Sequence, residues 1–413
     1  MIFYYHRINS YSFNALAGAV DADAELADVP IGIALTADDL REHISGALNN
    51  HSRAIVAFSI MTCQFEETSQ LIRQLRGEHD GRLIILAGGP HVTARPEEVL
   101  RAGVDIVFRG EAETSFLRVL KAIFRGIDCD PIQSADLPTD LDKTFSFSPK
   151  RGMFGPIEIT RGCAFACRFC QTSHIFGVRL RHRSVEKIVS QTETLRSINR
   201  KVVRLLSPNA FSYSSPDGRE LNLDAVRNLL AALRESLPED GRIIFAHFPS
   251  EARPEHITPD TLSLLDEFAD NDEIVIGAQS GSRRMLDACG RGHTAQDVVS
   301  AVACARKHGY KIIVDFMFGL PGESEADMRE NLSVMKEIVG MGARIHPHIF
   351  APLPQTAFAN EPQGRVSPFY LKALDEFRSR MAIYEKQPGY FMSHDIKVPD
   401  MGAMGAPASS PVV

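Results

Sequence analysis

One stretch constrains this chain more than any other. Ile157-Glu158-Ile159-Thr160-Arg161 runs as an apolar, strand-like segment into a loop that carries Cys163, Cys167 and Cys170. The spacing is C-x3-C-x2-C. Three thiolates on one short loop suit a [4Fe–4S] cluster with three protein ligands and one open iron. An open iron can bind a substrate or cofactor, whereas a fully ligated cluster mainly passes electrons. The competing reading is structural zinc, which needs four protein ligands, commonly as two separated pairs. His174 is the nearest candidate for a fourth ligand, and no second cysteine pair follows. A disulfide would leave one of the three cysteines over.

With Phe169 as the aromatic residue before the last cysteine, C-x3-C-x-Φ-C resembles the cluster loop of radical SAM enzymes. The resemblance implies that S-adenosylmethionine (SAM) chelates the open iron through its amino and carboxylate groups. Electron transfer then cleaves it to a 5′-deoxyadenosyl radical. An electron donor such as flavodoxin or ferredoxin is implied as a partner.

The chain has 413 residues and is 44% hydrophobic, enough for two or three domains with sizeable cores. Its net charge of −7 argues against a general nucleic-acid-binding surface. No apolar run is long enough to span a bilayer, and Met1-Ile2-Phe3-Tyr4-Tyr5-His6-Arg7 lacks the order of a signal peptide. A cytoplasmic, reducing location is expected. Seven cysteines with three clustered fit metal binding better than a disulfide framework.

Strand-like and helix-like segments alternate over residues 1–126. Strands are expected at 1–5, 54–60, 83–87 and 104–108, and helices at 12–20, 66–76, 96–102 and 114–124. Short apolar runs such as Ala54–Ile60 and Leu83–Ala87 read as buried parallel strands. The alternation predicts an open, doubly wound parallel sheet of Rossmann type, with ligands beyond the carboxyl ends of its strands. Ser59 and Thr62, Gly88-Gly89-Pro90-His91, and Gly110-Glu111 would lie on that edge. Glycines there let the backbone approach a bulky ligand. Glu111 and Glu113 also suit the start of a helix.

With GGPH after one strand and GEAE after the next, this region resembles the cobalamin-binding domains joined to many radical SAM enzymes. Cobalamin is thus implied, with Ser59, Thr62, Gly88, Gly89, Pro90, His91, Gly110 and Glu111 as its contacts. The D-x-H-x-x-G motif of other cobalamin proteins is absent; Arg41-Glu42-His43-Ile44-Ser45-Gly46 is the nearest string. A cobalamin here would therefore lack a histidine below the cobalt. The alternative is a sheet that no longer holds a cofactor.

Residues 127–152, rich in Asp and Pro, read as a linker. Over 153–360 the alternation resumes. Strands are expected near 156–160, 202–206, 242–247, 273–277, 311–317 and 345–350. Helices are expected near 185–198, 221–236, 259–268, 294–308 and 323–339. Ser184 and Thr258-Pro259 carry helix-start chemistry. Six βα units fit a partial (β/α)6, TIM-like barrel, with chemistry at the carboxyl ends of its strands. A helical extension is expected over 361–400, with a core-packing stripe from Tyr370 to Tyr384, and a disordered tail over 401–413.

The string GAQSGS…GRGHT followed by FGLPGE resembles the SAM-binding strand ends of radical SAM proteins, especially the methylthiotransferase-like and cobalamin-linked groups. Pro208 and Asn209 stand where many members place Gly-Gly-Glu after the second strand. Arg291 or Arg253 suits a bidentate pair with the SAM carboxylate. Gln279 and Ser280 suit the ribose or carboxylate, and the backbone near Phe169 and Phe350 the adenine. Asn209 and Ser250 complete the set at the strand ends.

The resemblance implies a cobalamin-linked radical SAM enzyme, often a methyltransferase acting on an unactivated centre. Rearrangement or ring closure occurs in some relatives. Methylthio transfer is a second reading, although the amino-terminal region offers only Cys63 toward a second cluster. A non-catalytic cobalamin- or SAM-sensing module is a third, and it would not need a reducible cluster.

Overall fold

The computed structural model describes residues 1–79 and 81–384. Its described residues divide into two compact units, 1–156 and 157–384. The expected tail over 401–413, and the part of the helical extension beyond 384, lie outside the described residues.

The first unit alternates β1 (Ile2–Tyr4), α1 (Ser10–Ala22), β2 (Gly32–Ala34), α2 (Ala37–Asn50), β3 (Ala54–Ser59), α3 (Phe65–His79) and β4 (Leu83–Gly88). Then come α4 (Pro90–Ala94), α5 (Pro96–Arg101), β5 (Ile106–Arg109), α6 (Glu113–Phe124) and β6 (Ile132–Ser134). All six strands pair in parallel in the order β2-β1-β3-β4-β5-β6. Successive side chains of a strand point to opposite faces. Ile2, Tyr4, Val56, Phe58, Ile85 and Ala87 thus enter one core with α2 and α3. Phe3, Ile55, Ala57 and Leu86 enter the other, with α1 and α6. Burial on both faces explains why these strands read as unbroken apolar runs.

Several elements go beyond the sequence expectation: β2, α2 and α4, and β6 in the expected linker. Helix α2 was not anticipated. Thr36 caps it by accepting from Asp39 N–H, and Leu40, Ile44 and Leu48 form its buried stripe. The expected linker over 127–152 contributes β6, whose pairing with β5 extends the sheet. Ser148 and Arg151 from the same stretch both bond Asp21 of α1. Buried backbone groups need partners, and an extended Pro- and Asp-rich segment finds them at a sheet edge.

The second unit opens with β7 (Ile157–Glu158) and the short pair β8 (Thr160–Arg161) and β9 (Arg181–His182), between which lies α7 (Thr172–Phe176). It continues through α8 (Val185–Ser197), β10 (Val202–Leu206), α9 (Leu223–Ser236), β11 (Arg242–Ile244), α10 (Pro259–Phe268) and β12 (Glu273–Gln279). Next are α11 (Arg283–Ala288), α12 (Ala295–Lys307), β13 (Lys311–Phe318), α13 (Glu325–Gly340), β14 (Arg344–Ile349) and α14 (Pro368–Ser379). The strands form the parallel runs β7-β10-β11 and β12-β13-β14. A parallel bridge between Ala252 and Ile276 connects them. Six strands with intervening helices make the partial barrel. Side chains of Ser184, Thr258, Thr294 and Ser324 cap α8, α10, α12 and α13, each a contribution of about 1 kcal/mol.

Candidate active site: a three-cysteine loop with a buried arginine, and a glycine-lined sheet edge

The cysteine loop leaves β8 through Gly162, whose φ of +93° and tight surroundings admit no side chain: a Cβ there would lie 2.6 Å from Arg179 O. Cys163 N–H donates to Gly177 O at 3.1 Å, and Arg168 N–H to Cys289 O at 2.9 Å. These bonds tie the loop at both ends. Cys167 is buried, while Cys163 and Cys170 are partly exposed. Two donors meet the sulfurs: Arg291 Nη1 reaches Cys167 Sγ at 3.3 Å, and Thr172 N–H reaches Cys170 Sγ at 3.5 Å. Burial pushes the nearby Cys289 thiol up to about 12, so it stays protonated and unreactive.

Arg291 joins this loop to the next strand end. Its Nη2 donates to Gly277 O of β12, and its buried Nε has no hydrogen-bond partner among the described residues. Strand β12 bulges between Gly277 and Gln279, and Gln279 carries a φ of +70°. Bulges re-aim side chains next to active sites, and positive φ outside glycine concentrates there. Ser280 Oγ accepts from Ser282 N–H. Arg253 stacks over Phe165 at 3.6 Å and bonds Glu255 and Arg291 O. The Glu255 Oε2 atom is buried without a hydrogen-bond partner among the described residues, 3.8 Å from His293 Nδ1.

Other expected SAM contacts hold the scaffold. Ser250 Oγ accepts from Ser207 N–H at 2.8 Å and donates to Leu205 O at 2.7 Å. Asn209 accepts from Arg253 N–H and contacts Ser212 and His256. Phe169 and Phe350 meet in one apolar cluster with Met285, Leu320 and Phe358.

Sequence reasoning left one group out. Asp315 on β13 contacts His346 and His348 on β14, and Glu251 faces Asp315. Burial and the neighbouring Asp315 charge hold the Glu251 carboxyl well above the usual range. Burial opposes ionisation of Asp315 too, yet the neighbouring imidazoles of His346 and His348 outweigh it and hold that carboxyl at about 2. Asp315 Oδ2 is buried without a hydrogen-bond partner among the described residues. The signal that could have found this group is the alternation His346-Pro347-His348, which puts both imidazoles on one face of a strand.

In the first unit the strand order reverses between β1 and β3, the point where open parallel sheets bind ligands. Asn9 Nδ2 donates to Ser59 O there, at 2.8 Å, a contact that sequence reasoning missed. Gly89 has a φ of +105°, and a Cβ would lie 2.8 Å from Ile60 N and 2.9 Å from Ile60 O. The close approach lets Pro90 start α4 directly after β4, with His91 N–H donating to Ile60 O. The His91 ring stacks on Phe65 at 4.2 Å, with Nδ1 3.4 Å from Thr62 Oγ1. Burial lowers its pKa, so the ring is neutral. Its Nε2 and Ser59 Oγ are both buried without hydrogen-bond partners among the described residues. Gly110 N–H donates to Thr93 Oγ1, and Glu111 accepts from Thr139 N–H.

A family model described as the radical SAM superfamily matches residues 157–335, and one for the B12 binding domain matches residues 6–120. An uncharacterised methyltransferase of Pyrococcus horikoshii is 25% identical over 62% of this chain, which spans 58% of that relative's length. A tRNA-2-methylthio-N(6)-dimethylallyladenosine synthase of Moorella thermoacetica is 31% identical over 46% of this chain and 41% of its own. Two solved structures share the fold. The radical SAM methyltransferase TsrM from Kitasatospora setae has a TM-score of 0.63 at 16% identity, over 86% of this chain and 76% of that one. The cobalamin-dependent SAM radical enzyme OxsB has 0.66 at 15% identity, over 93% and 57%.

A radical SAM domain and an amino-terminal B12-binding domain thus occur together in this chain. Its family cofactors are a [4Fe–4S] cluster, SAM and cobalamin. The residues present fit them. The loop offers three thiols, the ligand type such clusters take, with N–H donors on two sulfurs. Beside it, Arg291 has a buried donor to spare. The sheet edge offers a glycine cradle and two unpaired polar atoms. No helix among the described residues is long and apolar enough to cross a membrane.

Proposed function

We propose that this protein is a cobalamin-dependent radical SAM methyltransferase acting on an unactivated centre of its substrate. The observation that carries this reading is Arg291, a buried guanidinium with one N–H on a cluster-loop sulfur and an unpaired Nε. Leaving a buried N–H of a charged group unmade is costly, so such a site is built for a ligand acceptor. The SAM carboxylate is that acceptor in this reading. The family relation and the methyltransferase and cobalamin names of the relatives support methyl transfer and the role of the first unit.

Cys163, Cys167 and Cys170 hold the cluster. Arg291 and Gln279 orient the SAM amino-acid end, and the apolar cluster around Phe169 and Phe350 takes the adenine and excludes water from it. Ser59, His91 and the Gly88–Gly89 backbone hold the corrin, with neutral His91 as a polar contact. When bound, these groups supply reductive SAM cleavage and methyl carriage. An external one-electron donor, flavodoxin or ferredoxin in class, completes the requirement.

Anaerobically reconstituted protein is expected to carry about four iron and four sulfide per chain. Replacing the three cysteines together with alanine should remove more than nine-tenths of both. SAM with a reductant should release 5′-deoxyadenosine, and hydroxocobalamin should be retained at near one per chain. A reconstituted, folded protein that releases no 5′-deoxyadenosine would reject the radical reading. One that releases it but retains no corrinoid would reject methyl transfer through cobalamin.

A further inference from the structure

We propose that Asp315, His346 and His348 bind one divalent transition-metal ion inside the barrel domain, distinct from the iron of the cysteine loop. The inference rests on strand register and donor geometry, independent of the methyl-transfer reading. Asp315 and His346 are register partners on the adjacent parallel strands β13 and β14. His348, two residues further along, points to the same face. Strand positions fix ligands more firmly than loop positions do.

The three donor atoms lie within 4.8 Å of one another. Asp315 Oδ1 is 2.7 Å from His346 Nδ1 and 3.4 Å from His348 Nε2. Ligands of an ion with bonds of roughly 2.0–2.1 Å stand about 2.8–3.4 Å apart, for angles between octahedral and tetrahedral, a range that the His348 separation meets and the His346 separation falls just short of. One imidazole at hydrogen-bonding distance would suffice to orient the carboxylate. The second, at 3.4 Å, is long for a hydrogen bond, and its convergence on the same oxygen is what a shared cation explains.

The surroundings match a metal site as well. Ligating carboxylates are themselves hydrogen-bonded, and Glu251 stands against Asp315 in that role. The His346 ring is fixed edge-on by Phe248 at 5.3 Å and Tyr384 at 5.2 Å. The Asp315 side chain is 1% exposed and that of His348 is 40% exposed, so the site has a dry anchor and an open side. Two imidazoles and one carboxylate suit zinc or ferrous iron and leave positions for water or for a substrate oxygen. Such an ion would hold and polarise an oxygen-bearing substrate.

The test uses the full chain with its iron–sulfur cluster loaded, freed of loose metal by a mild chelator and then equilibrated with zinc chloride. Metal content is read by mass spectrometry after desalting. One zinc per chain beyond the iron is expected in the wild type. In His348→Ala, and separately in Asp315→Asn, the apparent zinc affinity should fall at least tenfold while the iron content stays at wild-type level. Retained iron shows that the barrel has folded, and the partly exposed His348 keeps the test usable should Asp315→Asn fail to fold. The proposal is overturned if the wild type takes up no zinc. It is also overturned if His348→Ala binds zinc as tightly as the wild type, or if the zinc is lost only when the three cysteines are replaced.

Discussion

At the carboxyl edge of the amino-terminal sheet, the buried groups left without hydrogen-bond partners among the described residues are neutral: Ser59 Oγ and the Nε2 of an uncharged His91, beside a glycine pressed against the Ile60 backbone. The barrel instead buries the charged groups of Arg253, Arg291 and Asp315, and Arg291 reaches its three-cysteine loop. Burying a charge is expensive unless it is paired, so each pattern limits the ligand. The first edge suits a large ligand held by shape and a few neutral hydrogen bonds. The second suits a small charged ligand beside a metal cluster. Both units are parallel α/β arrangements with loops at the carboxyl ends of strands, so the division of labour lies in the side chains there and not in the fold.

The largest effect is expected where charge is densest. Arg291→Lys keeps a cation but gives up the fork that reaches Cys167 Sγ and Gly277 O together, and with it the unpaired Nε. A lost charge-assisted hydrogen bond is worth about 1.5–3 kcal/mol. SAM binding to the cluster-loaded protein should weaken by about 10–100-fold in equilibrium dialysis, with cobalamin retention unchanged. If SAM affinity is kept, the barrel's buried charge serves another ligand and the comparison breaks.

These two sites were unequally legible in the sequence. The cysteine loop, the buried runs of β3 and β4, and the cap residues Ser184 and Thr258 are local signals, and local signals survive without coordinates. Arg291 was legible as well, because it stands in a string tied to a strand end. The Glu251–Asp315–His346–His348 group was not. Its contacts depend on the register between β13 and β14 and on a bridge from Ala252 to Ile276, all set by packing. Helix α2 was missed although Thr36, Asp39 and the Leu40–Ile44–Leu48 stripe mark it. Strand β6 hid in a stretch whose prolines and aspartates read as punctuation; only the free edge of β5 makes it a strand.

A smaller effect, confined to the first unit, tests the shape side of the comparison. Gly89→Ala would place a methyl 2.8–2.9 Å from the Ile60 backbone at a φ that L-residues disfavour. Strain of this kind costs about 1–3 kcal/mol. Corrinoid retention should fall about tenfold or more, and the first unit should melt earlier. Iron content and SAM binding should hold. A variant that retains cobalamin normally would show that the Gly88–Gly89 backbone is not the cradle.

The smallest effect separates the units by pH. Burial lowers His6 and His91 in the first unit and His182, His256 and His293 in the barrel. For His293 burial, and then the charges of Arg291 and Arg253, bring it down to about 3. A histidine depressed in the folded state is neutral there and takes up its proton on unfolding. Its contribution is complete above the ordinary value of 6.5 and is lost as pH falls from 6.5 toward 3. The slope is about 1.4 kcal/mol per pH unit for one such group. Urea unfolding of the full chain at pH 7.5 and 5.5 should therefore show a loss that His293→Asn reduces by roughly 1 kcal/mol. His91→Asn should reduce it by less, because the Glu98 carboxylate opposes the effect of burial there and outweighs the Arg95 charge. Equal reductions from the two substitutions would mean that burial alone sets both imidazoles, and that the arginines beside His293 are neutralised by their own partners.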